Sequence, residues 1–214
     1  GFPGNLSVEV VYHLNNDNAL EISYQAATDK TTIINLTQHS FFNLAGNAKP
    51  TPTVCGNILT IHADYYTPMD EVSIPTGEIA PVEGTPMDFR TPHTIGERID
   101  SNFEQLVFGK GYDHCYVLNK KEAGELSFAA KVVEPESGRT LEVYTTEPGV
   151  QLYTGNWLGG FEGKYGATYP ERSAVCLETQ HFPDSPNKPH FPTVVLHPDE
   201  LYVQKCIYKF GVEK

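Results

Sequence analysis

Polar and apolar positions alternate along most of this chain. Val8, Val10, Tyr12 and Leu14 alternate with polar partners across Ser7–His13. Leu126, Phe128, Ala130 and Val132 repeat the pattern, followed by Leu141, Val143 and Thr145, by Val150 and Leu152, and by the runs Ala174–Gln180 and Tyr202–Phe210. A period of two sends successive side chains to opposite faces, the signature of half-buried strands in antiparallel sheets. Shorter runs at Leu20–Gln25, Thr31–Thr37, Ile58–His62 and Cys115–Leu118 are also strand-like. Only Thr94–Phe108 shows helical spacing, with Ile95/Ile99 and Phe103/Leu106/Val107, and it predicts one or two helical turns. Eighteen glycines and sixteen prolines punctuate the gaps. Residues 46–56 and 68–94 read as long loops, of the kind that often carry function. About ten strands with almost no helix predict an all-β chain, a large antiparallel β-sandwich forming one domain over residues 1–214.

Composition narrows the partners. The 214 residues carry a net charge of −12. No basic run exceeds Lys120-Lys121, so nothing predicts a nucleic-acid or anionic-membrane surface. No stretch approaches the ~18 apolar residues of a membrane helix. Cys55, Cys115, Cys176 and Cys206 form no C-x-x-C pair, and three lie in apolar strand-like runs. They read as free buried thiols, which favours a reducing, cytoplasmic compartment. The chain opens Gly1-Phe2-Pro3-Gly4, without Met and without a signal-peptide pattern.

Four segments offer chemistry. In Asn35–Leu44, His39 follows a β run; on a strand it shares a face with Phe41, opposite Gln38 and Ser40, and it also reads as an ordinary hydrogen-bonded histidine. In Ala174–Gln180, Val175, Leu177 and Thr179 form a core-like face, leaving Cys176, Glu178 and Gln180 on the other. A mid-strand carboxylate is either solvated or buried with a partner. Asp113-His114 precedes an apolar run, where it can bind hydroxyls or make a turn. Gln151 and Tyr153 share a strand face near Trp157, the only tryptophan, a combination suited to a sugar: rings for C–H faces, an amide for hydroxyls. Sequons at Asn5 and Asn35 are short enough to arise by chance.

Taken together, these segments resemble the aldose 1-epimerase (galactose mutarotase) family. The matching strings are NLTQHSFFNLAG at 35–46, GKGYDH at 109–114, TTEPGVQLYTGNWL at 145–158 and CLETQHFPDSPNKPHFP at 176–192. The resemblance implies a galactose mutarotase-like supersandwich. It implies Glu178 as the general base on the C1 hydroxyl, His39 as the general acid on the ring oxygen, and Asp113 and Gln151 as substrate contacts. It further implies a small aldose as substrate, no cofactor and no metal. Gln38 and Phe41 stand where many relatives have Asn and Tyr, a departure expected to affect the pocket wall. The resemblance reaches only the C-terminal portion of the family chain. Its preceding portion carries an arginine and a second histidine that help bind sugar, and His13, His62, His93, His114 and His181 do not match that histidine's string. A chain lacking that portion is expected to be unstable or inactive alone through exposed apolar strand edges, with the missing N-terminal segment as a partner.

Mutarotation inverts only the anomeric carbon: the ring opens, the C1–C2 bond rotates, and the ring recloses. Opening removes a proton from O1 and delivers one to O5, which suits a paired base and acid. An isolated Glu is ionised at neutral pH, whereas an isolated His is mostly uncharged and needs a carboxylate beside it to favour imidazolium. Three rival readings stand beside this one: a β-sandwich glycoside hydrolase using Asp113 and Glu178, a non-catalytic carbohydrate-binding module, and an epimerase of phosphorylated hexoses, which the net charge and absence of clustered Arg/Lys disfavour.

Overall fold

A computed structural model describes residues 1–47 and 51–213. The strands are β1 (Leu6–Leu14), β2 (Ala19–Thr28), β3 (Thr32–Ile33), β4 (Ile58–Ile61), β5 (Ala63–Thr67), β6 (Ala80–Pro81), β7 (His93–Thr94) and β8 (Asp113–Leu118). They continue as β9 (Ser127–Val133), β10 (Arg139–Thr145), β11 (Gly149–Tyr153), β12 (Phe161–Glu162), β13 (Thr168–Tyr169), β14 (Cys176–Gln180), β15 (Val195–Leu196) and β16 (Tyr202–Val212). The region predicted to turn helically holds a 3₁₀ turn at Ile95–Glu97 and one α-helix, α1 (Glu104–Gly109).

A seven-stranded antiparallel sheet runs β1-β2-β16-β10-β9-β4-β7, and a five-stranded one runs β14-β11-β8-β5-β6. Their inner faces share a single core. Ile22, Leu59, Val132, Leu141, Val143 and Tyr208 from the larger sheet meet Tyr66, Tyr116, Val150, Leu152 and Leu177 from the smaller. The period of two therefore does what it predicts: on β11, Val150 and Leu152 go inward, and Gln151 and Tyr153 go to the opposite face. Leu152 is fully buried. Leu152→Ala, read by denaturant unfolding of the intact protein, should lower stability by about 2–5 kcal/mol. A smaller loss would mean that the two sheets close up around the void.

Two expectations are corrected. β1 alternates in sequence, yet every one of its residues is exposed, because among the described residues it pairs only with β2 and no layer covers either face. An open apolar edge of this kind invites pairing with another chain. Of the Thr31–Thr37 run, only Thr32–Ile33 is strand. The following segment is extended without ladder pairing, and its one backbone bridge among the described residues is Phe42–Val175, so His39 does not stand on a regular strand. The stretch 46–56 is loop where it is described, but residues 48–50 lie outside the described residues.

Candidate functional site

The outer face of the five-stranded sheet carries the site. β11 lies between β8 and β14, and its register sets Gln151 opposite both Cys115 and Glu178, and Tyr153 opposite both Asp113 and Cys176. Directly paired residues point the same way. Polar groups from three distant segments thus stand in two adjacent rows over a packed floor. The start of β8 is fixed by a tight backbone approach. Lys110 closes α1 in the left-handed region (φ 54°), and Gly111 follows at φ 135°. A Cβ on Gly111 would lie 2.4 Å from Asn156 Oδ1. Only glycine lets Asn156 Nδ2 donate to both Gly109 O and Tyr112 O, at 2.9 Å each.

His39, Phe41, Asp113, Gln151, Tyr153, Trp157, Glu178, Gln180 and Pro183 line one cavity of about 460 Å³, a size suited to a small ligand. All four residues expected at the site are brought together. His39 Nε2 lies 3.3 Å from Glu178 Oε1; the imidazole is half exposed, whereas the carboxylate side chain is 10% exposed. Phe41 stacks on the imidazole at 4.8 Å, and Tyr153 meets it edge-on at 6.1 Å. The Phe41 departure therefore touches His39 itself, while Gln38 turns away to hydrogen-bond Tyr12 and Ser40. Gln151 Nε2 donates to Asp113 Oδ1 at 2.8 Å. Gln151 Oε1 is buried without a partner among the described residues, an acceptor held ready for a hydroxyl. Tyr153 Oη accepts the backbone N–H of Trp157 at 3.0 Å, which ties the main chain beneath the half-exposed indole to the floor.

Electrostatics corrects one expectation. Burial, reinforced by the nearby charge of Asp113, pushes the Glu178 carboxyl up to about 7, so it is poised near neutrality rather than fully ionised. Asp113 is raised as well, by burial first, while the Gln151 hydrogen bond and the charge of His39 oppose the rise. Asp113→Asn should move the acidic limb of the activity profile to lower pH by removing the neighbouring charge. Because burial is the larger cause, the limb should stay well above the ordinary glutamate value of 4.5. A limb that does not move would detach the Asp113 charge from the group that sets it.

His114 does not join Asp113 in the cavity. It points into the core, where burial depresses its pKa to about 3 and its Nδ1 accepts the Asp113 N–H at 3.1 Å. His39, Cys176 and Glu178 place three potential metal ligands within 4.8 Å of one another. The Cys176 thiol is raised by burial and by the charges of Glu178 and Asp113, hence protonated at neutral pH, and an ion there would tie up both His39 and Glu178. All four cysteines are free, and Cys115, Cys176 and Cys206 are buried. Of the remaining lining residues, Phe41 is expected at the pocket wall, Gln180 shares the Glu178 face without an assigned role, and Pro183 is not singled out. The face-sharing of Gln180 with Glu178 was a usable signal, whereas Pro183 had none.

A buried carboxylate against a half-exposed imidazole, beside an amide–carboxylate pair and aromatic walls, defines an acid–base site for a small hydroxylated ligand on an antiparallel sandwich. A family model described as Aldose 1-epimerase matches residues 1–209, and the chain belongs to that family. Galactose mutarotase from Mus musculus is 49% identical over 213 residues, which cover 99% of this chain and 59% of the mouse protein. Aldose 1-epimerase from Escherichia coli K12 is 39% identical over 215 residues, 100% of this chain and 61% of that one. Among solved structures, an aldose epimerase homologue from C. elegans superposes with TM-score 0.87 at 29% identity, covering 100% of this chain and 62% of its own. Galactose 1-epimerase from Lactobacillus acidophilus superposes with TM-score 0.81 at 28% identity, covering 100% and 59%. The chain thus spans about 60% of the length of these relatives.

Proposed function

We propose that the protein is an aldose 1-epimerase that interconverts the α and β anomers of free hexoses. The observation that carries this reading is the 3.3 Å approach of His39 Nε2 to Glu178 Oε1. O1 and O5 of a pyranose are both bonded to C1, so a base for one and an acid for the other must stand side by side. Glu178 takes the O1 proton as His39 gives one to O5, and the C1–O5 bond breaks to leave an aldehyde. Rotation about C1–C2 presents the other carbonyl face, and closure reverses both transfers, so the pair is reset. A base with a pKa near the working pH suits such catalysis. Asp113, Gln151 and Gln180 line the same cavity and would meet sugar hydroxyls, and the rings of Trp157 and Tyr153 would meet the sugar's C–H face.

Polarimetry of freshly dissolved α-D-glucose and α-D-galactose with the intact protein tests the proposal. Accelerated relaxation to the anomeric equilibrium is the expected result. Release of reducing sugar from an aryl glycoside without that acceleration would favour the hydrolase reading instead. Binding without either activity would favour a carbohydrate-binding module. The buried free thiols support a reducing, cytoplasmic setting.

A further inference from the structure

His39 sits on a segment that no sheet ladder holds, so its position over Glu178 must come from elsewhere. The segment 35–42 follows β14 in the opposite direction and is tied to it at both ends. At one end, Phe42 and Val175 exchange two backbone hydrogen bonds of 2.9 Å. At the other, the Asn35 side chain grips the backbone of one residue on both sides: Nδ2 donates to His181 O and Oδ1 accepts the His181 N–H, both at 3.0 Å. Glu178 lies midway between Val175 and His181 in the sequence, and the facing segment uses one residue more to cover the same span. An extra residue of this kind re-aims a side chain, and the end anchors set where the excess goes, together with Gln38, whose carbonyl accepts from Tyr208 Oη at 3.4 Å and whose side chain accepts from Tyr12 Oη at 2.7 Å.

The Asn35 anchor is itself braced. The ring of His181 meets Glu147 Oε2 through Nδ1 at 2.5 Å, and Glu147 is only 3% exposed. Glu147 lies in the turn that leads into β11, with its N–H donating to Thr145 Oγ1 at 3.0 Å. A continuous line of contacts thus runs from the turn before Gln151, across the end of β14, to the foot of the segment that bears His39. None of these three residues lines the cavity.

We propose that Asn35 and His181, backed by Glu147, are positioning residues that fix the register of the 35–42 segment so that the His39 imidazole meets the Glu178 carboxylate. The kinetic part of this inference rests on the proposed mutarotase activity; the geometric part does not. Asn35 is exposed, so Asn35→Ala removes the clamp while deleting little core packing.

In the intact protein, Asn35→Ala should lower kcat by roughly 10–10²-fold through misplacement of the acid, with KM changed far less. Asn35→Asp, which keeps the acceptor for the His181 N–H, should recover part of the loss. The decisive reading is a double-mutant cycle: in a His39→Ala background, Asn35→Ala should cost nothing further. An unchanged kcat in Asn35→Ala, or a loss that multiplies with that of His39→Ala, overturns the proposal. A second measurement needs no activity. The ¹⁵N signal of His39 Nε2 should respond to Glu178→Gln in the wild-type background and lose that response once Asn35→Ala is present; a retained response overturns the proposal. Should Asn35→Ala not fold, Asn35→Asp and Glu147→Gln carry the same two readings. A wild-type protein that moves no anomer overturns the proposed function and leaves the nuclear magnetic resonance arm to decide the clamp.

Discussion

Glu178→Gln should abolish nearly all catalysis and, at alkaline pH, make the protein more stable. Loss of the proton acceptor should cut the polarimetric rate by roughly 10²–10⁴. The amide keeps the size and one acceptor oxygen, so KM should move little by comparison. Stability follows from linkage. Burial pushes this carboxyl up from 4.5 to about 7 in the folded chain. Between those values the folded protein holds a proton that the unfolded chain has released, so stability falls as pH rises from 4.5 to 7 and stays lowered above it. Glutamine has no such proton. The Tm of the variant should therefore exceed that of the wild type at pH values above 7 and converge with it toward 4.5. A near-wild-type rate would remove Glu178 from the mechanism. A Tm gain independent of pH would remove burial as the reason for its raised pKa. The two outcomes are separate readings of one fact: a group held where it is reactive is a group held where the fold does not want its charge.

The faces of the sheet were legible wherever alternation was clean. Val175, Leu177 and Thr179 against Cys176, Glu178 and Gln180 is an unambiguous split, and the structure puts the first set inward. β5 escaped notice because its pairing with β8 shifts register between Ala63 and Tyr65, which breaks the period of two. β1 misled in the opposite sense. Its alternation is present in the sequence, but burial depends on a covering layer that the pattern of one strand does not specify. The same limit governs the site. That Glu178 faces away from the core could be read from its own strand. That it is nevertheless buried could not, since its cover comes from β8, β11 and the 35–42 segment, all remote in sequence. Its raised pKa is a consequence of that cover, and so stayed invisible with it. His39 was singled out by resemblance and polar surroundings, whereas its geometry is set by side-chain anchors that no periodicity encodes.

His39→Ala should lower the mutarotation rate by roughly 10²–10⁴, the usual contribution of a positioned general acid, and added imidazole should restore part of it. Location favours such rescue. The His39 side chain is half exposed at the cavity mouth, while its partner carboxylate is almost covered. Deleting the ring opens a slot flanked by Phe41, which stacked on it at 4.8 Å, and by Tyr153, which met it edge-on at 6.1 Å. Free imidazole entering that slot finds an aromatic face to stack on and Glu178 within reach of its N–H. Rescue should therefore saturate with imidazole concentration and weaken when Phe41→Ala is added. The same imidazole should do nothing for Glu178→Gln, because the buried end of the pair admits no replacement from solvent. If His39→Ala kept its rate, the proton for O5 would have to come from another group, and the 3.3 Å contact would be a structural hydrogen bond instead of an acid–base pair. Rescue in one variant and not in the other would instead assign the exchangeable proton to the open side of the site and the fixed charge to its floor.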